Sequence, residues 1–159
     1  MKMAVISDTH IPSKAKSLPD TLLKNINGVD LIVHAGDMVD IVVYNQLREI
    51  APVRAVSGNV DRTAIKNNFP AKQNFSCKKY KFGVIHSHQF SKGNLNKLLY
   101  QFPESDVIIF GHTHKPYNHY HDGILLFNPG SPTDKRLQPH YSYGIITIDK
   151  DINSQIIEF

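Results

Sequence analysis

The sequence predicts an α/β fold, a sandwich of two β-sheets flanked by helices. Through the first sixty residues, short apolar runs alternate with segments of helical period, as βαβ units do. From residue 73 onward strand-like segments crowd together with short turns between them, which points to a second sheet, at least partly antiparallel. The 159 residues suit one domain over the whole length, because two would each be small.

Residues 4–6 make the first expected strand, an apolar run that ends in Ser7-Asp8. Residues 18–26 read as an amphipathic helix stopped by Asn27-Gly28, a C-cap pattern. Residues 31–33 are a second strand running into His34-Ala35-Gly36-Asp37. Helical period returns over 39–50, and 53–56 is a third strand ending at Ser57-Gly58-Asn59. Such alternation implies a largely parallel sheet covered on both faces. After a loop around Pro70, residues 73–77 and 81–85 read as adjacent strands around a solvated lysine-rich turn. Residues 94–102 read as a helix and 107–110 as a strand. Segments 117–120, 124–128, 143–148 and 154–158 complete the strands expected in the second sheet.

Composition excludes several classes. Hydrophobic residues are 41% and charged residues 20%, as in an ordinary globular protein. No run approaches the ~18–20 apolar residues of a membrane span, and the start turns polar too early for a signal peptide. The single cysteine, Cys77, cannot form an internal disulfide, which agrees with a reducing compartment and a cytoplasmic location. The net charge of +4 is mild, with no basic stripe, which argues against nucleic acid as partner. Nine histidines are the unusual count, and neutral imidazole is a common metal ligand.

Several apolar strands end in the same residue types. The endings are Asp8-Thr9-His10, Gly36-Asp37, Gly58-Asn59, His86-Ser87-His88 and Gly111-His112-Thr113-His114. In α/β sheets, ligands collect outside the carboxyl ends of strands. Hard oxygens from Asp and Asn beside imidazole nitrogens suit manganese, zinc, iron or nickel better than magnesium or calcium. Seven candidate ligands, Asp8, His10, Asp37, Asn59, His86, His112 and His114, are too many for one zinc and enough for two ions. Two carboxylates, two divalent cations and a bridging hydroxide leave a net charge of about +1, which attracts a phosphate ester anion.

These five motifs, in this order, resemble the calcineurin-like metallophosphoesterase superfamily from about residue 4 to 149. The short length, His34-Ala35-Gly36-Asp37 and Asn128-Pro129-Gly130-Ser131 resemble its small YfcE-type phosphodiesterases. The resemblance implies the family's four-layer fold. It also implies a first ion on Asp8, His10, Asp37 and His114, with Asp37 bridging to a second that Asn59, His86 and His112 complete. The ions would be two divalent cations, Mn2+ first, with Ni2+, Fe2+ or Zn2+ as substitutes. A hydroxide bridging them would attack a small phosphoester, a diester by preference, with Asp37 and Asn59 in the catalytic set. Association into homo-oligomers stays open.

The third motif departs from the family pattern. Many members read Gly-Asn-His-Asp/Glu there, where this chain has Gly58-Asn59-Val60-Asp61 and so lacks the histidine. Valine neither donates a proton nor bonds phosphate, so the sequence offers His88 as a replacement proton donor. The stretch Asp8–Pro12 also resembles the scaffold subunit of retromer, which shares the family fold. A binding scaffold with little or no catalysis is therefore the alternative. His34 is expected in the core or behind the ligands, and His119 and His121 on a solvated hairpin. The turn at residues 128–131 is expected to brace the loop of His112 and His114.

Overall fold

The computed structural model describes residues 1–90 and 94–159. The first half runs β1 (Lys2–Ile6), α1 (Asp20–Asn25), β2 (Leu31–His34), α2 (Ile41–Arg48), β3 (Val53–Ala55) and α3 (Thr63–Asn68). The remainder runs β4 (Lys72–Cys77), β5 (Tyr80–Ile85), α4 (Leu95–Gln101), β6 (Val107–Phe110), β7 (Tyr117–His121) and β8 (Ile124–Asn128). It closes with β9 (Ser142–Ile148) and β10 (Ile152–Glu158).

Two five-stranded sheets result, ordered β10-β9-β1-β2-β3 and β4-β5-β6-β8-β7. Strand periodicity explains how they stack, since successive side chains point to opposite faces. In β1, Met3 and Val5 face the second sheet and pack with Phe82, Val107, Ile109 and Phe127. Ala4 and Ile6, on the other face, meet Leu22 of α1, Val43 and Leu47 of α2 and Ile65 of α3. In β6 and β8, Ile108, Phe110 and Leu126 turn outward onto Leu98 and Phe102 at α4. The layers are thus helix, sheet, sheet, helix, and the central strands are apolar on both faces.

Both sheets are mixed. Strands β1, β2 and β3 are parallel, as are β5, β6 and β8, so six carboxyl ends reach one rim. Strands β9 and β10 depart from the sequence expectation. They extend the first sheet, β9 pairing antiparallel with β1 from Lys2↔Thr147 to Val5↔Gly144. Gly144 lets them close, because a Cβ there would lie 2.2 Å from Phe127 Cε1.

Helix α3 occupies a segment read as loop around Pro70, and buries only Ile65. The lysine-rich turn is confirmed: Cys77 pairs with Tyr80, leaving Lys78-Lys79 as a two-residue connection. Among the described residues no helix is long and apolar enough to cross a membrane.

Candidate metal centre

Six of the seven candidate ligands meet at the shared rim, as two clusters of donor atoms. Asp8, His10 and His114 form one; Asp37, His86 and His112 form the other. Asn59 is exposed on the loop after β3, where its carbonyl accepts from Lys66 Nζ at 3.0 Å. His88 is exposed too, its ring centroid 5.6 Å from that of His86 and 6.3 Å from that of His112.

Backbone conformation brings these groups together. Asp8, His10, Asp37, His112 and His114 have φ values of 57°, 46°, 57°, 71° and 58°. Non-glycine residues adopt this region at a cost, and such strain gathers at functional sites. The turns follow directly from buried strands and are pinned to each other. The Asp8 amide donates to Gly36 O and the His10 amide to Asp37 O, both at 3.0 Å. Glycine lets the neighbours approach. A Cβ on Gly58 would stand 2.1 Å from Asp37 Oδ1, and one on Gly111 2.0 Å from Ser7 Oγ.

Each carboxylate has one oxygen committed to the protein and one turned to the cluster. Asp8 Oδ2 accepts from Ser7 Oγ at 2.6 Å and from the His112 amide at 2.9 Å. Its Oδ1 has no hydrogen-bond partner and lies 3.2 Å from His114 Nε2 and 3.9 Å from His86 Nε2. Asp37 Oδ1 accepts from the Val60 amide at 3.0 Å. Its Oδ2 stands between the clusters, 3.7 Å from His10 Nε2 and 3.0 Å from His86 Nε2.

The histidines are oriented the same way. His86 Nδ1 donates to Ala35 O at 2.8 Å, and His114 Nδ1 to the carbonyl of Asp134. Such outer bonds fix the tautomer that leaves Nε2 free to ligate. His10 and His114 bring their Nε2 atoms to 3.2 Å. Donors bound at ~2.0–2.1 Å to one cation stand roughly 3–3.4 Å apart. Among the described residues, three buried polar atoms, Asp8 Oδ1, His86 Nε2 and His112 Nδ1, have no hydrogen-bond partner. Buried polar atoms are rarely orphaned, and these call for an absent ligand. The N/O donor set fits divalent transition cations.

Titration behaviour agrees. Burial pushes the Asp8 pKa up, but His10, His114 and His86 beside it override burial and hold the carboxyl far below the ordinary range. Asp37 is likewise held down, His86 and the Val60 amide outweighing burial. Burial acts to lower His86, yet Asp37 and Asp8 raise it. Burial and His86 lower both His88 and His112. The two carboxylates are thus held in their ionised form.

His34 lies behind the ligands, fully buried. Its Nδ1 accepts from the Gly36 amide at 3.2 Å, so Nε2 is the nitrogen that donates to Thr9 Oγ1 at 3.2 Å. Burial pushes its pKa down to about 4, which keeps it neutral at neutral pH. The turn at residues 128–131 does brace its neighbours. Asn128 Nδ2 donates to Gly111 O and Thr113 Oγ1, both at 3.1 Å, and Ser131 Oγ to Asp8 O at 2.7 Å. His119 is exposed, and His121 bonds Tyr117 Oη on the edge strand β7, away from both clusters. Arg62 pairs with Asp40.

Sequence reasoning missed two supports. Asp61, 4% exposed, accepts from the amides of Gly58 at 2.6 Å, Val39 at 2.6 Å and Asp37 at 3.1 Å. The only signal was its place as the acidic fourth residue of the third motif. Asp134, which holds His114, had none.

The profile of the calcineurin-like phosphoesterase superfamily domain matches residues 1–151. A probable metallophosphoesterase of Methanothermobacter thermautotrophicus is 39% identical over 161 residues, covering 99% of this chain and 92% of that protein. One from Methanocaldococcus jannaschii is 37% identical over 160 residues, with 99% and 81% covered. The crystal structure of wild-type Vps29 from Entamoeba histolytica complexed with Zn2+ shares the fold. Its TM-score is 0.80 at 23% identity, with 99% of each chain covered. The match over nearly the whole chain, with six candidate ligands gathered at one rim, makes the chain a member of the calcineurin-like phosphoesterase superfamily.

Proposed function

We propose that the chain is a metal-dependent phosphodiesterase whose centre holds two divalent cations, Mn2+ first among them. The observation that carries this reading is the trio of orphaned buried atoms, Asp8 Oδ1, His86 Nε2 and His112 Nδ1, around two adjoining donor clusters. Asp8, His10 and His114 hold one cation and His86 and His112 the other. Asp37, whose Oδ2 faces both clusters, bridges them, and Asn59 joins His86 and His112 as a ligand of the second cation. Bound cations of this kind activate water and neutralise charge on phosphoryl oxygens.

The protein's own part is positioning. Ser7, the His112 amide and the Val60 amide fix the two carboxylates, while Ala35 O and Asp134 O fix two imidazoles. His88 stands at the mouth beside His86 and His112, and it handles the proton of the departing alcohol. Burial and the neighbouring His86 lower its pKa, which favours the neutral ring, a hydrogen-bond donor to a poor leaving group. Diesters are preferred because a weakly cationic centre suits a monoanion. The cytoplasm, with its supply of small phosphoesters, is the expected location.

The test is hydrolysis of bis(p-nitrophenyl) phosphate and p-nitrophenyl phosphate by the purified chain, with and without Mn2+, alongside metal analysis. Mn2+-stimulated cleavage favouring the diester supports the reading. A metal-replete chain silent on both would favour a binding scaffold. For His88→Ala, hydrolysis of a dialkyl diester, which has only a poor alcohol to release, should fall about tenfold more than that of the bis-aryl diester. An equal effect on both would remove His88 from the proposal.

A further inference from the structure

Beside the candidate metal centre lies an open cavity of about 500 Å3. His10 forms one wall, and its ring belongs to the first donor cluster. Val39 and Val60 supply an apolar wall, Val60 being 45% exposed. Lys14 and Arg136 line it as well, with Asp134 and Ser13. Asp134 is turned toward the ligands, its Oδ2 3.8 Å from His114 Nδ1.

Lys14 and Arg136 are the two cations of the cavity wall. Among the described residues neither forms an ion pair, as holds for every lysine and arginine there except Arg62 and Lys81, so what distinguishes them is their place beside the donor clusters. Their segments are tied to the centre, Lys14 through its backbone and Arg136 through its side chain. The Lys14 amide donates to His10 O at 2.8 Å. Arg136, at a φ of 49°, places Nη1 3.5 Å from His112 O. A guanidinium and an ammonium set beside a site for two divalent cations meet like-charge repulsion. An anion lying between them and the centre reverses that repulsion and uses the free donors.

We propose that this cavity receives a second phosphate of the substrate. The phosphoester at the metal centre would carry, on the arm that lies along Val39 and Val60, a further phosphate held by Lys14 and Arg136. The substrate class is therefore a phosphoester with two separate phosphates on one organic skeleton, of the nucleoside bisphosphate kind. This assignment rests on the phosphoesterase reading above and adds the substrate class to it. Val60 takes part by shape: where a histidine would reach toward phosphate, valine leaves an apolar surface for the skeleton.

The probes are the 5′-(p-nitrophenyl) esters of thymidine 5′-phosphate and of thymidine 3′,5′-bisphosphate, which differ only in the 3′-phosphate. With the Mn2+-loaded full chain, the bisphosphate ester should show a KM about tenfold lower at similar kcat, the mark of a contact made equally in ground and transition states. By calorimetry, thymidine 3′,5′-bisphosphate should bind about tenfold more tightly than thymidine 5′-phosphate. Both ratios should fall toward one in the Lys14→Gln/Arg136→Gln double variant, and Arg136→Lys should retain part of them. Ratios of one in the unaltered chain, or ratios that survive in the double variant, overturn the proposal. If neither ester is cleaved but the binding preference and its loss are seen, the phosphodiesterase reading fails and the cavity assignment stands. Cleavage of both esters with equal KM and equal affinity has the reverse meaning.

Discussion

An Asp37→Ala chain loses Mn2+-dependent phosphoester hydrolysis, with kcat/KM down by a factor of about 10^3 or more. The size follows from its position. Asp37 Oδ2 is the atom that faces both donor clusters, 3.7 Å from His10 Nε2 and 3.0 Å from His86 Nε2. No other carboxylate replaces it, since Asp8 already commits Oδ2 to Ser7 and the His112 amide. A stability measurement separates loss of the centre from loss of the fold. A ligand at a hundredfold excess over its Kd stabilises the native state by about 2.7 kcal/mol, and in a chain of this size that raises Tm by roughly 5–10 °C. The unaltered chain should show a shift of that order with Mn2+, and Asp37→Ala little or none, while the metal-free Tm values stay close. In the metal-free fold the Asp37 carboxylate accepts from the Val60 amide and meets His86 Nε2 at 3.0 Å, and loss of these contacts is offset in part by relief of its repulsion with Asp8. An Asp37→Ala chain that hydrolyses at the normal rate, or keeps its Mn2+ shift, removes Asp37 from the centre.

Much of this site was written in the order of residues along the chain, for a physical reason. Strands such as residues 4–6 and 107–110 are apolar on both faces, so the polar residues that follow them mark where the chain leaves the core. Parallel pairing then brings those ends to one rim, and Asp8, Asp37, His86, His112 and His114 could be found from that rule alone. Sheet membership was less legible. The pattern of β9 fits either sheet, and only the free side of β1 and the space that Gly144 leaves for Phe127 decide. Helix α3 was hidden because it buries a single residue and so has no amphipathic stripe. Lys14, Asp134 and Arg136 sit on irregular segments without periodicity, and their meeting near His10 and His112 depends on turns that composition does not specify.

Asp61 was legible as a motif position but not as a support, and it gives the second large effect. Its carboxylate takes three amides, from Gly58, Val39 and Asp37, and so joins the loop after β2 to the loop after β3. Asp61→Ala leaves three buried donors facing an empty space. An unsatisfied buried group costs about 1–3 kcal/mol, and relaxation of the loops recovers part of the sum. A net loss above about 3 kcal/mol is expected in denaturant unfolding. Asp61→Asn keeps the size but turns an amide N–H2 toward donors, so it should lose more than half as much. The loss should also reach the chemistry. Asp37 has a φ of 57° and Val39 one of 73°, a conformation that costs on the order of 1–3 kcal/mol per residue and needs outside bonds to persist. When those bonds are gone, Asp37 should relax away from His86, and Mn2+ affinity should fall at least about tenfold at temperatures where the variant is still folded. A folded Asp61→Ala chain with unchanged Mn2+ affinity would show that the strained turn holds itself, and that Asp61 serves stability alone.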